Sequence, residues 1–345
     1  MRQKRSRFVS LLTATTPFWL SSISNIAHAV GDEQVASAAP TLLHAEFSYP
    51  RIPITDVEFT ETRGETKKYR VFSLSFRSSG ENGQVGNLVT ALYYQSKLPG
   101  AKRVVIVLPI WGTHTYPSRK MTQSLLKYSD GQMNVLRILG KDFLFDWTAM
   151  GSATSEAGLI SLARRMAERI RTHVVDIRRS IDWVETQPDV DPNRIGLVGF
   201  SIGAFVASLV AANEPRLAAT VLAMGSAHVH EMLATCFGRA KAAREAIMSR
   251  FGWTTETLKK KIEKPLAPVD PARLAGRVDP SRVLMFDAEY DKCMPSVGRE
   301  VLWQAMGRPK RVTWPYGHKM SFIMMTFLGL NRMRHEIYDF LEATL

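Results

Sequence analysis

Cysteine is nearly absent: the chain of 345 residues has two, Cys236 and Cys293. That excludes a small disulfide-stapled scaffold and a cysteine-rich zinc module. Long apolar runs are missing after the first thirty residues, so the body of the chain offers no segment able to cross a bilayer. Internal repeats and low-complexity tracts are also missing, which excludes a solenoid. The Lys and Arg residues lack the interleaved aromatics and zinc spacings of nucleic-acid binders, so no nucleic-acid partner is expected. What is there is an ordinary globular composition, 45% hydrophobic and 22% charged. It is enough for one large α/β domain or two small ones.

The first residues differ from the rest. Arg2, Lys4, Arg5 and Arg7 make a basic start, and no charge follows from Phe8 to Val30. The run closes on Ala27-His28-Ala29, ahead of Gly31-Asp32-Glu33. A basic n-region, an apolar h-region and a small-x-small site read as a secretory signal peptide over residues 1–29. The mature chain, 30–345, is then periplasmic or secreted, with no stable membrane insertion. A retained membrane anchor is the rival, because the uncharged run just reaches the length of a bilayer. Pro17, Asn25 and the many Ser and Thr residues argue against it. No cysteine near the site could carry a lipid.

Without those four basic residues, 41 Lys and Arg face 32 Asp and Glu, and the formal charge falls from +13 to +9. Apart from Lys259-Lys260-Lys261 the cations are scattered, as suits solubility or loose attraction to anionic envelopes. Export would place Cys236 and Cys293 where disulfides form. Spacing alone leaves open whether they pair or stay as buried thiols.

From residue 69 the pattern becomes readable. "YRVFSLSF" and "NLVTALYYQS" alternate in polarity around a Gly/Asn/Ser-rich turn and predict an antiparallel hairpin. "KRVVIVLPI" (102–110) and "MNVLRIL" (133–139) are continuous apolar runs, as expected of strands buried on both faces. Leu159, Leu162, Met166, Ile170, Val174, Ile177, Ile181 and Val184 recur at steps of three and four, predicting a long amphipathic helix. Thr154 or Ser155 caps its start and Pro188 lies beyond its end. Strands follow over 194–200, 217–225, 282–288 and 310–316, with helices at 202–213 and at the C-terminus. Strands alternating with helices imply a mostly parallel sheet covered on both faces.

One stretch carries chemistry. "RIGLVGFSIGAFVASL" runs from a buried strand into a small-residue helix through Gly199-Phe200-Ser201-Ile202-Gly203. A G-x-S-x-G match alone arises by chance in about one such chain in ten. Here it stands at the carboxyl end of a predicted parallel strand, where open α/β sheets build their sites. A serine there needs small residues two positions away on each side. It also needs a base and an acid, which follow in the order Ser, Asp, His at later strand ends. Asp291 in "AEYDKCMP" and His318 in "PYGHKMS" stand just past the strands at 282–288 and 310–316.

On these motifs the chain resembles the α/β-hydrolase family over about residues 65 to 345. "DVDPNRIGLVGFSIGA" is similar to the family's approach to its nucleophile, "AEYDKCMP" to its acid loop and "YGHKMSF" to its histidine loop. The resemblance is closest to bacterial esterases of the dienelactone-hydrolase and acetyl-esterase type. It implies an α/β-hydrolase fold: a mostly parallel central sheet, helices on both faces and a small helical cap insertion. It further implies cleavage of a small-molecule ester through an acyl-enzyme, with Ser201, Asp291 and His318 as the triad and no metal or organic cofactor. Backbone N–H groups of Trp111 and Ile202 would form the oxyanion hole. The sequence departs from the family at Pro109-Ile110, where many members have His-Gly, and at Ala288, where glycine is commoner. A thioesterase or peptidase with the same triad, and a catalytically silent binding protein, are the alternatives.

Other residues have plainer readings. Asp287 is an alternative acid, but it sits inside a strand. His228 and His230 suggest a metal pair without a visible third ligand, so they are expected to line the pocket. His114 is placed at the pocket mouth. Residues 229–268 form two or three helices, expected to cap the site. Met232, Leu233, Phe237, Ile247, Met248, Phe251 and Trp253 would either touch the substrate there or pack on the domain.

Overall fold

The computed structural model describes residues 45–79, 85–111, 116–140, 144–326 and 332–345. The proposed signal segment and His114 lie outside them. The described strands form one sheet. Its antiparallel side is β1 (Glu58–Glu61), β2 (Tyr69–Ser79) and β3 (Val85–Ser96). Its parallel side holds β4 (Lys102–Val107), β5 (Met133–Ile138), β6 (Val190–Phe200), β7 (Leu217–Ala223), β8 (Val283–Ala288) and β9 (Lys310–Trp314). The order across the sheet is β1-β2-β3-β5-β4-β6-β7-β8-β9.

Why the central parallel strands carry apolar stretches is visible at β4. Val104 and Ile106 enter one core cluster, Val105 and Val107 the other, so both faces of the strand are buried. On the first face lie α3 (Glu156–Glu185), α4 (Ile202–Asn213) and α8 (Ser296–Ala305). On the second lie α1 (Tyr116–Ser129) and α10 (Arg332–Thr344), with Met121, Leu125, Met333, Ile337 and Leu341 packed on Val198 and Phe200. Of the two expected caps, Ser155 starts α3: its hydroxyl accepts from the Gly158 N–H at 3.1 Å.

Chain order reverses at β4. The chain passes from β4 to β5 on one side, then returns across to β6 on the other. The loops after β4 and β6 therefore diverge, opening a crevice at the carboxyl ends of the strands. Trp111 follows β4 and Ser201 follows β6, so this switch point is where the predicted site lies.

Some elements depart from the sequence reading. β1 is a further edge strand, and β6 begins at Val190, four residues earlier than expected, with a register shift past Lys102. His318, read as a loop residue, is the first residue of helix α9 (His318–Thr326). A short helix α2 (Trp147–Gly151) precedes α3. The segment before β1 is held against α3 by charge. Arg178 Nη1 donates to the Phe47 carbonyl at 2.6 Å, Arg179 Nη2 to that of Ile52 at 2.7 Å, and the Tyr49 hydroxyl to Asp182 at 3.1 Å. Burial pushes the Tyr49 phenol up to about 12.

Candidate active site

The site begins with a backbone turn. Ser201 has φ 54 and ψ −119, a conformation that L residues rarely hold and that clusters at active sites. Packing enforces it. A Cβ on Gly199 would stand 2.2 Å from the Gly203 carbonyl oxygen, and one on Gly203 would stand 2.5 Å from that of Pro109. Both positions must therefore lack a side chain, which is the physical content of the G-x-S-x-G spacing. The Ser201 N–H donates to the Ala223 carbonyl at 2.8 Å, fixing the turn to β7, and α4 starts directly after it.

The structure brings the three predicted residues together. Ser201 Oγ lies 2.9 Å from His318 Nε2, and His318 Nδ1 lies 2.6 Å from Asp291 Oδ2. The other oxygen of Asp291 accepts the N–H groups of Cys293 at 2.8 Å and Met294 at 2.9 Å. The Asp291 side chain has no exposed surface. With a carboxylate on Nδ1, that nitrogen carries the proton and Nε2 presents its lone pair to the serine hydroxyl. Phe322 packs edge-on against the His318 ring with centroids 5.2 Å apart.

Trp111 is buried and has φ 41. Neither its N–H nor that of Ile202 finds an acceptor among the described residues. Two such free donors at a helix start and a strand end suit a developing oxyanion. The Trp111 ring stands 5.0 Å from that of His173, in the wall of a cavity of about 700 Å³ that Phe145, Trp147 and Asp176 also line.

Asp287 is elsewhere. Its fully buried carboxylate takes Arg311 at 2.5 Å, with Arg299 at 3.8 Å. Burial pushes its carboxyl up, against the pull of both guanidiniums. It is bonded to cations rather than to the histidine.

The insertion consists of α5 (Val229–Thr235), α6 (Arg239–Phe251) and α7 (Thr255–Leu266). Of its apolar residues, Met232, Leu233 and Ile247 are buried in the main core, and Met248, Phe251 and Trp253 pack against it. This favours the plainer of the two readings for them. Phe237 differs: it is exposed and its ring lies 6.4 Å from that of His318. Cys236 next to it is disulfide-bonded to Cys293. The bridge joins the insertion to the loop that holds Asp291. Closing the separation of 57 residues should contribute about 4 kcal/mol. Urea unfolding with and without a reductant should show a loss up to that size, and an unchanged midpoint would contradict it.

A carboxylate that the spacing of the sequence does not reveal stands beside the two histidines. Asp270, forty-two positions from His228, bonds to it through Nδ1 at 3.0 Å. Burial holds the His230 imidazole below the usual histidine range.

Comparison with known proteins agrees with this architecture. Residues 89–237 match the Dienelactone hydrolase family, and residues 177–299 match the BAAT / Acyl-CoA thioester hydrolase C terminal family. Two uncharacterized proteins from strains of Mycobacterium tuberculosis are 30% identical over 149 residues, 43% of this chain. The matched region spans about a third (33%) of the length of those relatives. An acetyl xylan esterase from Paenibacillus sp. R4 is similar in structure, with TM-score 0.63 and 17% identity, covering 86% of this chain and 90% of that one. Acetyl xylan esterase 1 from Thermoanaerobacterium sp. JW/SL YS485 has TM-score 0.61 and 18% identity, covering 84% of this chain and 88% of its own. The chain thus has the α/β-hydrolase fold and is similar, over residues 89–237, to the Dienelactone hydrolase family.

Proposed function

We propose that this chain cleaves carboxylic esters with Ser201 as nucleophile, His318 as base and then acid, and Asp291 as the group that orients His318. One observation carries the reading: the unbroken series of hydrogen bonds from Asp291 through His318 to Ser201, at 2.6 and 2.9 Å. A serine hydroxyl is a weak nucleophile, and this arrangement activates it. Ser201 Oγ adds to the ester carbonyl carbon as its proton passes to His318 Nε2. The oxyanion that forms is met by the N–H groups of Trp111 and Ile202. On collapse the alcohol leaves with the proton from Nε2, and the acyl group stays on Ser201. Water then repeats the addition, giving its proton to Nε2. Ser201 leaves and recovers that proton, and the carboxylic acid is released. Asp291 stays ionised and stabilises the imidazolium in each half.

A second reading has its own support. The match to acyl-CoA thioester hydrolases covers both Ser201 and Asp291, and a thioester carbonyl would react by the same steps. The protein would act outside the cytoplasm, beginning at Val30 after removal of the signal.

The test is turnover of p-nitrophenyl esters of rising acyl length beside an acyl-CoA, with a fluorophosphonate probe and peptide mapping. Ester turnover with the adduct on Ser201 is the expected result. A strong preference for the acyl-CoA would favour the second reading. No turnover and no adduct would indicate a binding protein and overturn both.

A further inference from the structure

The helical insertion leaves and re-enters the domain at one place. His228 and His230 stand at its entry, Asp270 at its exit. The Asp270 carboxylate is buried and accepts the His228 backbone N–H at 3.1 Å, the Ala272 N–H at 3.0 Å and the His228 Nδ1–H at 3.0 Å. Those bonds fix its oxygens in place. The His230 ring lies 5.3 Å from the His228 ring, partly buried, and has no hydrogen-bond partner among the described residues. One donor atom from each residue lies within 4.8 Å of the other two.

We propose that His228, His230 and Asp270 form a site for a divalent cation of the zinc class, which fastens the two ends of the insertion together. Two imidazoles and a carboxylate are a zinc donor set, with bonds of about 2.0–2.2 Å. Tetrahedral bonds of that length put donor atoms about 3.3 Å apart, close to the 3.0 Å between His228 Nδ1 and Asp270 Oδ2. The cation takes the place of the bridging proton, which moves to Nε2 of the same ring. The Nδ1–H bond is exchanged for an Nε2–H bond, the cation forms its bond to Nδ1, and nothing is oxidised.

A paired histidine and aspartate would be complete by themselves. They do not account for a second, unbonded imidazole turned against the pair. His230 supplies the third bond, and because no hydrogen bond from the described residues holds its ring, it can rotate into place. The fourth position opens to solvent, since about a third of the His228 side chain is exposed (31%). Lys259, which reaches α5, is neutralised by Glu231 and Glu256, both at 2.9 Å.

Tag-free full-length protein, stripped with EDTA and dialysed, is titrated with zinc chloride by calorimetry, and bound zinc is counted by elemental mass spectrometry. The expected result is one zinc per chain at micromolar or tighter Kd and a melting temperature raised by several degrees at saturation. His230→Ala removes no hydrogen bond, so it should fold, and it should weaken zinc binding by about tenfold or more. His335→Ala on α10 and His318→Ala should bind zinc as the parent does. Absence of stoichiometric zinc in the parent overturns the proposal. So does unchanged affinity in His230→Ala, or a loss confined to His318→Ala, which would put the metal at Ser201 instead.

Discussion

Ser201→Ala should lower kcat/KM for an ester by about 10⁴-fold or more while leaving the protein folded. The substitution removes one oxygen, whose hydrogen bond is to His318 at 2.9 Å. Alanine tolerates the crowding at this turn, because the crowding is set by Gly199 and Gly203 rather than by the side chain at 201. The urea midpoint should therefore move little. His318→Ala should cost a similar factor, and Ser201→Ala/His318→Ala should be little worse than either alone. Two groups that act as one unit lose their whole effect when either is removed. Residual activity, from the Trp111 and Ile202 N–H groups and from binding, should survive in all three. Steady-state kinetics on the same ester, with active-site titration to exclude contaminating enzyme, is the measurement. Losses that multiply would show that Ser201 and His318 are not partners. A fully active Ser201→Ala enzyme would reduce the G-x-S-x-G stretch to a chance match.

The parts of this fold legible in sequence are those fixed by local physics. The alternation of β2 and β3 and the largely apolar runs of β4 and β5 each reflect which faces are covered. So does the boundary at Ser201. A strand buried on both faces, then two glycines whose Cβ atoms would strike backbone, leaves few other conformations. What is not legible depends on partners distant in the chain. β1 is four exposed residues, Glu58 to Glu61, with no pattern of their own, and becomes a strand because β2 offers an edge. α9 has no polar face: His318-Lys319-Met320-Ser321-Phe322 lacks the period that marks a helix, so His318 reads as a loop residue. Pro192 stands in the opening of β6, where a proline argues against a strand, and it is accommodated beside a register shift. Asp270 meets His228 across a whole insertion, and Cys236 meets Cys293 across a still longer separation. No spacing rule reaches either pair.

The same contrast between local and distant partners decides between the two candidate acids. Asp291→Asn should lower kcat by about 10⁴-fold with folding intact. The asparagine can keep its carbonyl oxygen on the N–H groups of Cys293 and Met294, so the loop should hold its shape. Its amide then faces His318 Nδ1 with N–H groups. Nδ1 must accept rather than donate, and the ring proton moves to Nε2. A proton there faces the Ser201 hydroxyl and leaves no lone pair to receive its hydrogen. The loss is thus one of tautomer, felt in kcat far more than in KM. Asp287→Asn should do the reverse. It takes the carboxylate from the buried Arg299 and leaves Arg311 with Glu300 alone, and breaking such a buried pair costs about 3 kcal/mol. Activity per folded molecule should stay near the parent's, because Asp287 touches neither histidine nor serine. Urea unfolding and steady-state kinetics on both variants separate the two effects. If Asp287→Asn silences a well-folded enzyme while Asp291→Asn merely loosens the fold, the acid lies within β8 and the hydrogen bond at Nδ1 is not the catalytic one.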